Sequence, residues 1–216
     1  MAKSLSLIGS RFGKFAAVAC VLLSVAVAQA TPLAVGQTVF PAPGEPDPTG
    51  GAAVCGPVTF AFATDTFSGT LTSVVYAGDP SNPYGGLTFT YYLHNDATSQ
   101  NVNARITTRD WTGWLTDASY QIPAAGVAPT YVDRLTADVV GYSFLGAPIG
   151  NGPIPPGANS AVLVIQTNAT TCVPALANVI DGATADVITY GPGTVPEPSA
   201  LALLAMGGFA LIRRRR

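Results

Sequence analysis

The sequence predicts an all-β protein: a single antiparallel β-sandwich, jelly-roll-like, over residues 52–194. An N-terminal signal-peptide helix and a C-terminal transmembrane helix are predicted to flank it. Three observations predict the sandwich. Apolar and polar residues alternate with period 2 in several short runs, the signature of strands with one buried and one wet face. Clusters of Gly, Pro, Asn and Asp separate those runs. Between residues 31 and 195 no apolar repeat of 3.6 residues persists over three helical turns.

The flanks account for the chain's odd composition. Its 216 residues are 48% hydrophobic but only 10% charged, with a formal net charge of −2, whereas soluble domains average about 25% charged residues. Lys3, Arg11 and Lys14 precede an apolar run from Phe15 to Ala28 that closes on Ala28-Gln29-Ala30. A basic start, an apolar stretch and a small-residue cleavage site describe a secretory signal peptide over residues 1–30. The competing readings are an uncleaved membrane helix and a lipoprotein anchored at Cys20. The apolar run is short for the first, since a span needs ~20 residues. Anchoring at Cys20 would leave almost no apolar region before the cysteine. Signal peptidase is therefore the expected first partner and the Sec pathway the expected route.

Residues 31–51, dense in Pro, Gly and Thr, lack periodicity and read as an extended arm. The strand-like runs follow: Val58 to Thr64, Gly69 to Ala77, Leu87 to His94, Asn101 to Thr107, Thr136 to Phe144, Ala161 to Thr167 and Ala183 to Tyr190. Gly78-Asp79-Pro80-Ser81-Asn82-Pro83, Asn95-Asp96 and Gly150-Asn151-Gly152-Pro153 supply turns. About eight strands in one domain result. Thr136 to Tyr142 echoes Thr184 to Tyr190, which reads as two equivalent strands rather than a repeat architecture.

From residue 31 to 195 the chain has three arginines, no lysine and eleven carboxylates, a formal charge of −8. Such a surface repels phosphate, so nucleic acid is excluded as a partner.

Residues 195–216 end the chain: Val195-Pro196-Glu197-Pro198, an apolar stretch from Ala200 to Ile212, and Arg213, Arg214, Arg215 and Arg216. Thirteen residues of helix reach only ~20 Å against a hydrocarbon core of ~30 Å, so the stretch is a marginal anchor. The arginine cluster is a cytoplasmic stop by the positive-inside rule, which places the preceding domain across the membrane. The ordered triplet, helix and basic end resemble the PEP-CTERM sorting signal of exported bacterial proteins. That resemblance covers about the last 22 residues and implies recognition by an exosortase, with the tail a transient inner-membrane anchor cut near the motif. It also implies a surface or extracellular destination among exopolysaccharide, biofilm or floc material in Gram-negative bacteria. Two prolines around Glu197 would hold the scissile peptide extended. A plain tail anchor is the competing reading.

With Cys20 removed, Cys55 and Cys172 remain and are expected to pair in an oxidising compartment. Closing a loop of about 118 residues would stabilise the fold by roughly 4 to 5 kcal/mol in the chain-entropy model. Two buried free thiols are the alternative.

Signs of catalysis are sparse, and the sequence reads as a non-enzymatic protein without cofactor or metal. The single histidine, His94, sits on the polar phase of a predicted strand with no nucleophile motif beside it. Asp110 with Asp117, or Asp181 with Asp186, could provide the two acids of a glycosidase, although loop aspartates are more often turn residues. Calcium could use the same oxygens, but no loop of defined spacing appears. Asn168-Ala169-Thr170 matches a glycosylation acceptor, read as chance in a bacterial context. Trp111, Trp114 and Tyr120 gather around a glycine. They read either as core filling between the sheets or, if exposed, as a platform for stacking sugars of an extracellular polysaccharide.

Overall fold

The computed structural model describes residues 32–41, 50–121, 125–146 and 152–193. The predicted signal peptide and tail lie outside them, and among the described residues no helix is long and apolar enough to cross a membrane. Two antiparallel sheets face one another. The first contains, in spatial order, β1 (Gln37–Val39), β7 (Tyr131–Arg134), β8 (Val140–Ser143), β5 (Arg105–Thr108), β10 (Cys172–Asp181) and β11 (Ala183–Pro192). The second contains β2 (Ala52–Ala63), β3 (Ser68–Ala77), β4 (Thr88–Asn95), β9 (Leu163–Thr167) and β6 (Thr116–Tyr120).

The period-2 pattern sorts the side chains. On β4, Phe89, Tyr91 and Leu93 are fully buried and point between the sheets, beside Leu71 and Val75 of β3 and Leu163 and Ile165 of β9. Ile106, Tyr142, Ala177, Val179, Ala185 and Val187 meet them from the six-stranded sheet in one core cluster. Polar Thr88, Thr90, Tyr92 and His94 take the alternate phase of β4. The apolar faces must be removed from water together, so the two sheets stabilise one another.

Cys55 of β2 and Cys172 of β10 are joined by a disulfide between residues 117 positions apart in sequence. The bond ties the edge of one sheet to the other, near the point where β10 pairs with the end of β11 (Cys172 opposite Pro192). Arg105 makes a second long reach. Its guanidinium crosses over Gly141 of β8 to form a two-bond pair with Asp133 of β7, at 2.6 and 2.8 Å. A Cβ at Gly141 would lie 2.1 Å from the Arg105 Nη2, so the crossing requires a glycine there.

The structure corrects four expectations. The segment read as an arm lies partly within the sandwich: Gln37–Val39 is a strand, and Leu33 is buried in the core. A three-residue strand is too short to show periodicity. Strands β6, β7 and β10 were not expected. On β10 the inward phase is Ala175, Ala177 and Val179, but the outward phase holds Pro174 and Leu176, so no polar alternation marks it. The expected strand at Thr136 to Phe144 shrinks to Val140–Ser143, which removes the equivalence with Thr184 to Tyr190. Asp138 instead holds the loop after β5, its carboxylate accepting from the Asp110 amide and its carbonyl from the Trp111 amide.

Candidate functional site

The aromatic cluster is a core plug. Trp111 follows β5, is fully buried, and meets Phe89 edge-on at 5.4 Å between centroids. Its Nε1 donates to the Thr108 hydroxyl at 3.0 Å. Trp114 is also buried, and Tyr120 packs partly buried against the core. Of the two readings the sequence leaves open, Trp111 takes the core one, its indole committed to the space between the sheets, whereas Trp114 also borders a surface cleft. Asp110, the residue before, has a left-handed backbone with φ of 73°. It is a turn residue, as aspartate tolerates that region.

The loop carrying the tryptophans is fixed by an arginine. Arg134, at the end of β7, is 4% exposed. Its guanidinium donates five hydrogen bonds: to the carbonyls of Trp111 and Trp114, to the Thr116 hydroxyl, and twice to the Ala137 carbonyl. No carboxylate among the described residues pairs with it. Burial lowers its pKa from the ordinary arginine range, while carbonyl dipoles replace the missing water. Arg134, Trp114 and Thr116 line one wall of a shallow cleft of about 330 Å³, with Tyr84, Leu115 and Val35 among the rest.

A second polar knot lies on the outer face of the five-stranded sheet, where the β3–β4 connection folds over the strands. Asp79 accepts from the Thr88 hydroxyl at 2.7 Å, from Gln166 Nε2 at 3.2 Å, and from the Ser81 amide and hydroxyl. Asn82 donates to the carbonyls of Gly86, Leu87 and Thr167. Asp117 of β6 sits opposite Gln166 across the ladder. Its side chain is 2% exposed, and its Oδ1 has no hydrogen-bond partner. Burial pushes its carboxyl up to about 7. The same carboxylate and burial raise the pKa of Tyr84.

The aspartates that the sequence offers as acid pairs fall on different elements. Asp117 is buried on the five-stranded sheet, while Asp110 follows β5 of the other sheet, close to Gly191. Asp186 is bonded by Asn178 Nδ2, and Asn178 Oδ1 accepts two bonds from Arg109, so a ladder runs across β5, β10 and β11. Asp181 stands at the hairpin end of β10. His94 bonds Asn159 through Nδ1 at 2.7 Å and lies 3.7 Å from Asp96. Among the described residues no group of three or more His, Cys, Asp or Glu side chains is placed to hold a metal ion. Sequence reasoning missed Arg134, and it offered Asp117 as a partner of Asp110 and not as a buried acid. The one available signal was scarcity, since an arginine in so cation-poor a domain has a specific task.

The described residues end at Gly193, whose amide donates to the carbonyl of Thr171, the residue before Cys172, at 2.9 Å. Val195 to Pro198 and the four terminal arginines lie beyond the described residues. The two facing sheets define a β-sandwich domain, and the sequence after it carries a C-terminal peptide signal. That signal is the PEP-CTERM protein-sorting motif, whose family model matches residues 194–216. The chain is thus an exported protein carrying the sorting signal of an exosortase substrate. No curated protein and no solved structure matches it.

Two outcomes are expected of the buried charges. Lysine in place of Arg134 offers three donors where five are used, and should lower unfolding stability by about 3 kcal/mol in a denaturant titration. Asp117 binds its proton more tightly in the folded chain than at its ordinary value of 3.8. Its contribution to stability is therefore whole below about pH 4 and lost as pH rises through about 7. Asp117→Asn should gain on the wild type across that window, by up to about 4 kcal/mol at pH 8. A stability difference independent of pH would contradict this assignment.

Proposed function

We propose that this chain is a non-enzymatic component of the cell surface or extracellular matrix, structural or adhesive, working among exopolysaccharide or biofilm material. The match of residues 194–216 to the PEP-CTERM motif carries the reading. In it, the Sec pathway exports the chain, signal peptidase cuts after Ala30, and the apolar tail holds the precursor in the inner membrane with its arginines inside. An exosortase then cuts near Pro196-Glu197-Pro198 and passes the domain on. Its engaged histidine and separated carboxylates support a role without catalysis. Its acidic surface favours neutral over anionic polymers as neighbours, because eleven carboxylates outnumber three arginines over residues 31–195.

Glu197→Ala should block processing, so that uncut precursor accumulates in the inner-membrane fraction on immunoblots. Unchanged cutting and surface delivery would overturn the reading. The cleft beside Tyr84 and Leu115 favours a second role as a carbohydrate-binding module, since its lining is largely apolar with few polar groups. Under that reading Tyr84→Ala abolishes retention on a glycan array while leaving the melting temperature within a few degrees. Retention equal to wild type would eliminate the cleft.

A further inference from the structure

Among the described residues, the sandwich has one long edge that lacks the usual protection. Strand β2 runs twelve residues at the margin of the five-stranded sheet and, among the described residues, pairs with β3 alone. An edge strand presents a row of unpaired N–H and C=O groups, which proteins shield with charge, proline, bulges, shortness or a covering segment. The other edges show such devices. Strand β1 has three residues, β6 is bridged at Asp117 by Pro32, and β11 carries Asp186. The first half of β2 is likewise irregular: its register slips on both sides of Cys55, and Cys55 is tied to Cys172.

The second half has none of these. Val58-Thr59-Phe60-Ala61-Phe62-Ala63 follows β3 in unbroken register and contains no charge, proline or glycine. Ten large hydrophobic side chains are exposed among the described residues, and five of them lie in strands: Val54, Phe60, Val173, Leu176 and Ile188. All five belong to β2, β10 or β11. Among the described residues, exposed large apolar side chains on the strands are therefore confined to β2 and to the β10–β11 hairpin of the other sheet.

We propose that the β2 edge joins two copies of this chain, Val58–Ala63 of one pairing antiparallel with the same segment of the other. Charge selects the occupant. An anionic partner meets a domain of formal charge −8 and finds no cation on β2. A cationic partner finds no carboxylate on β2. A second β2 is uncharged, extended and apolar, and it allows two acidic domains to approach where neither carries charge. Pairing about a two-fold axis joins the five-stranded sheets into one and brings the exposed Phe60 side chains of the two copies together, while Phe62 stays in the core against Phe67. Cross-strand aromatic pairs of that kind add to the backbone bonds. Extended segments of such composition also form tightly interdigitated pairs.

The test uses the exported protein recovered from producing cells, followed by sedimentation over a wide range of concentration. The wild type is expected to pass from monomer to dimer, and Ala61→Lys, which places a charge on the exposed strand, to stay monomeric with its disulfide and circular dichroism unchanged. A wild type monomeric throughout, or a dimer that survives Ala61→Lys, would overturn the proposal. If Ala61→Lys fails to fold, amide exchange of the wild type decides instead. Exchange at Val58–Ala63 should slow as concentration rises, and exchange independent of concentration overturns the pairing. The Glu197→Ala precursor bears the same β2 edge, so this result and that of sorting can fail separately.

Discussion

The guanidinium of Arg134 is the constraint on which this end of the sandwich rests. It is a buried cation without a carboxylate partner among the described residues, so its charge is tolerable only while four acceptors take its five hydrogen bonds. Four of those five bonds end on backbone carbonyls, which commits the Trp111–Thr116 loop and the Ala137 turn to one conformation. The loop in turn seats Trp111 against Phe89 in the centre of the core. Arg134 also acts through its backbone. Its carbonyl accepts from the Gly36 amide at 2.7 Å, and Thr116, which its side chain holds, exchanges bonds with Leu33. A single residue thereby fastens the N-terminal segment, the tryptophan loop and β7 to one another.

Its two fellow arginines repeat the pattern. Arg105 crosses Gly141 to reach Asp133, and Arg109 anchors the Asn178–Asp186 ladder. Between residues 31 and 195, where there are three arginines and no lysine, Arg134 is buried and Arg105 half-buried, and both fasten the interior, whereas the exposed Arg109 holds Asn178 from outside. Apart from Arg109, the charged and large apolar groups that remain outside are acidic or apolar. The acidic surface keeps copies apart by repulsion, and the uncharged stretch of β2 is where approach costs least. Interior bonding and the character of the exterior are thus two results of one scarcity.

The strands with clean alternation were legible as sequence, because Leu71 and Val75 or Phe89, Tyr91 and Leu93 announce a buried face by themselves. Others were hidden for identifiable reasons. On β10 the exposed Leu176 fills the phase that should be polar, and β1 is too short for a period to register. Asp117 read as a loop acid because a buried carboxyl looks no different in sequence from an exposed one. Only the β3–β4 connection folding over Gln166 and Thr88 removes it from water. Trp111 and Trp114 could be assigned to core or surface only once Arg134, far along the chain, was seen to pin their loop.

By itself the sequence determined the all-β class, the opposed cysteines, the acidic middle and the sorting motif at the C-terminus. Each of these depends on local pattern or on composition, which need no knowledge of distant neighbours. The tertiary structure decided which strand became an exposed edge, which aspartate lost its solvent, and which arginine carried a loop instead of a surface charge. Those outcomes follow from the pairing of segments as far apart as Cys55 and Cys172. Burial is a property of that assembly and not of any residue within it.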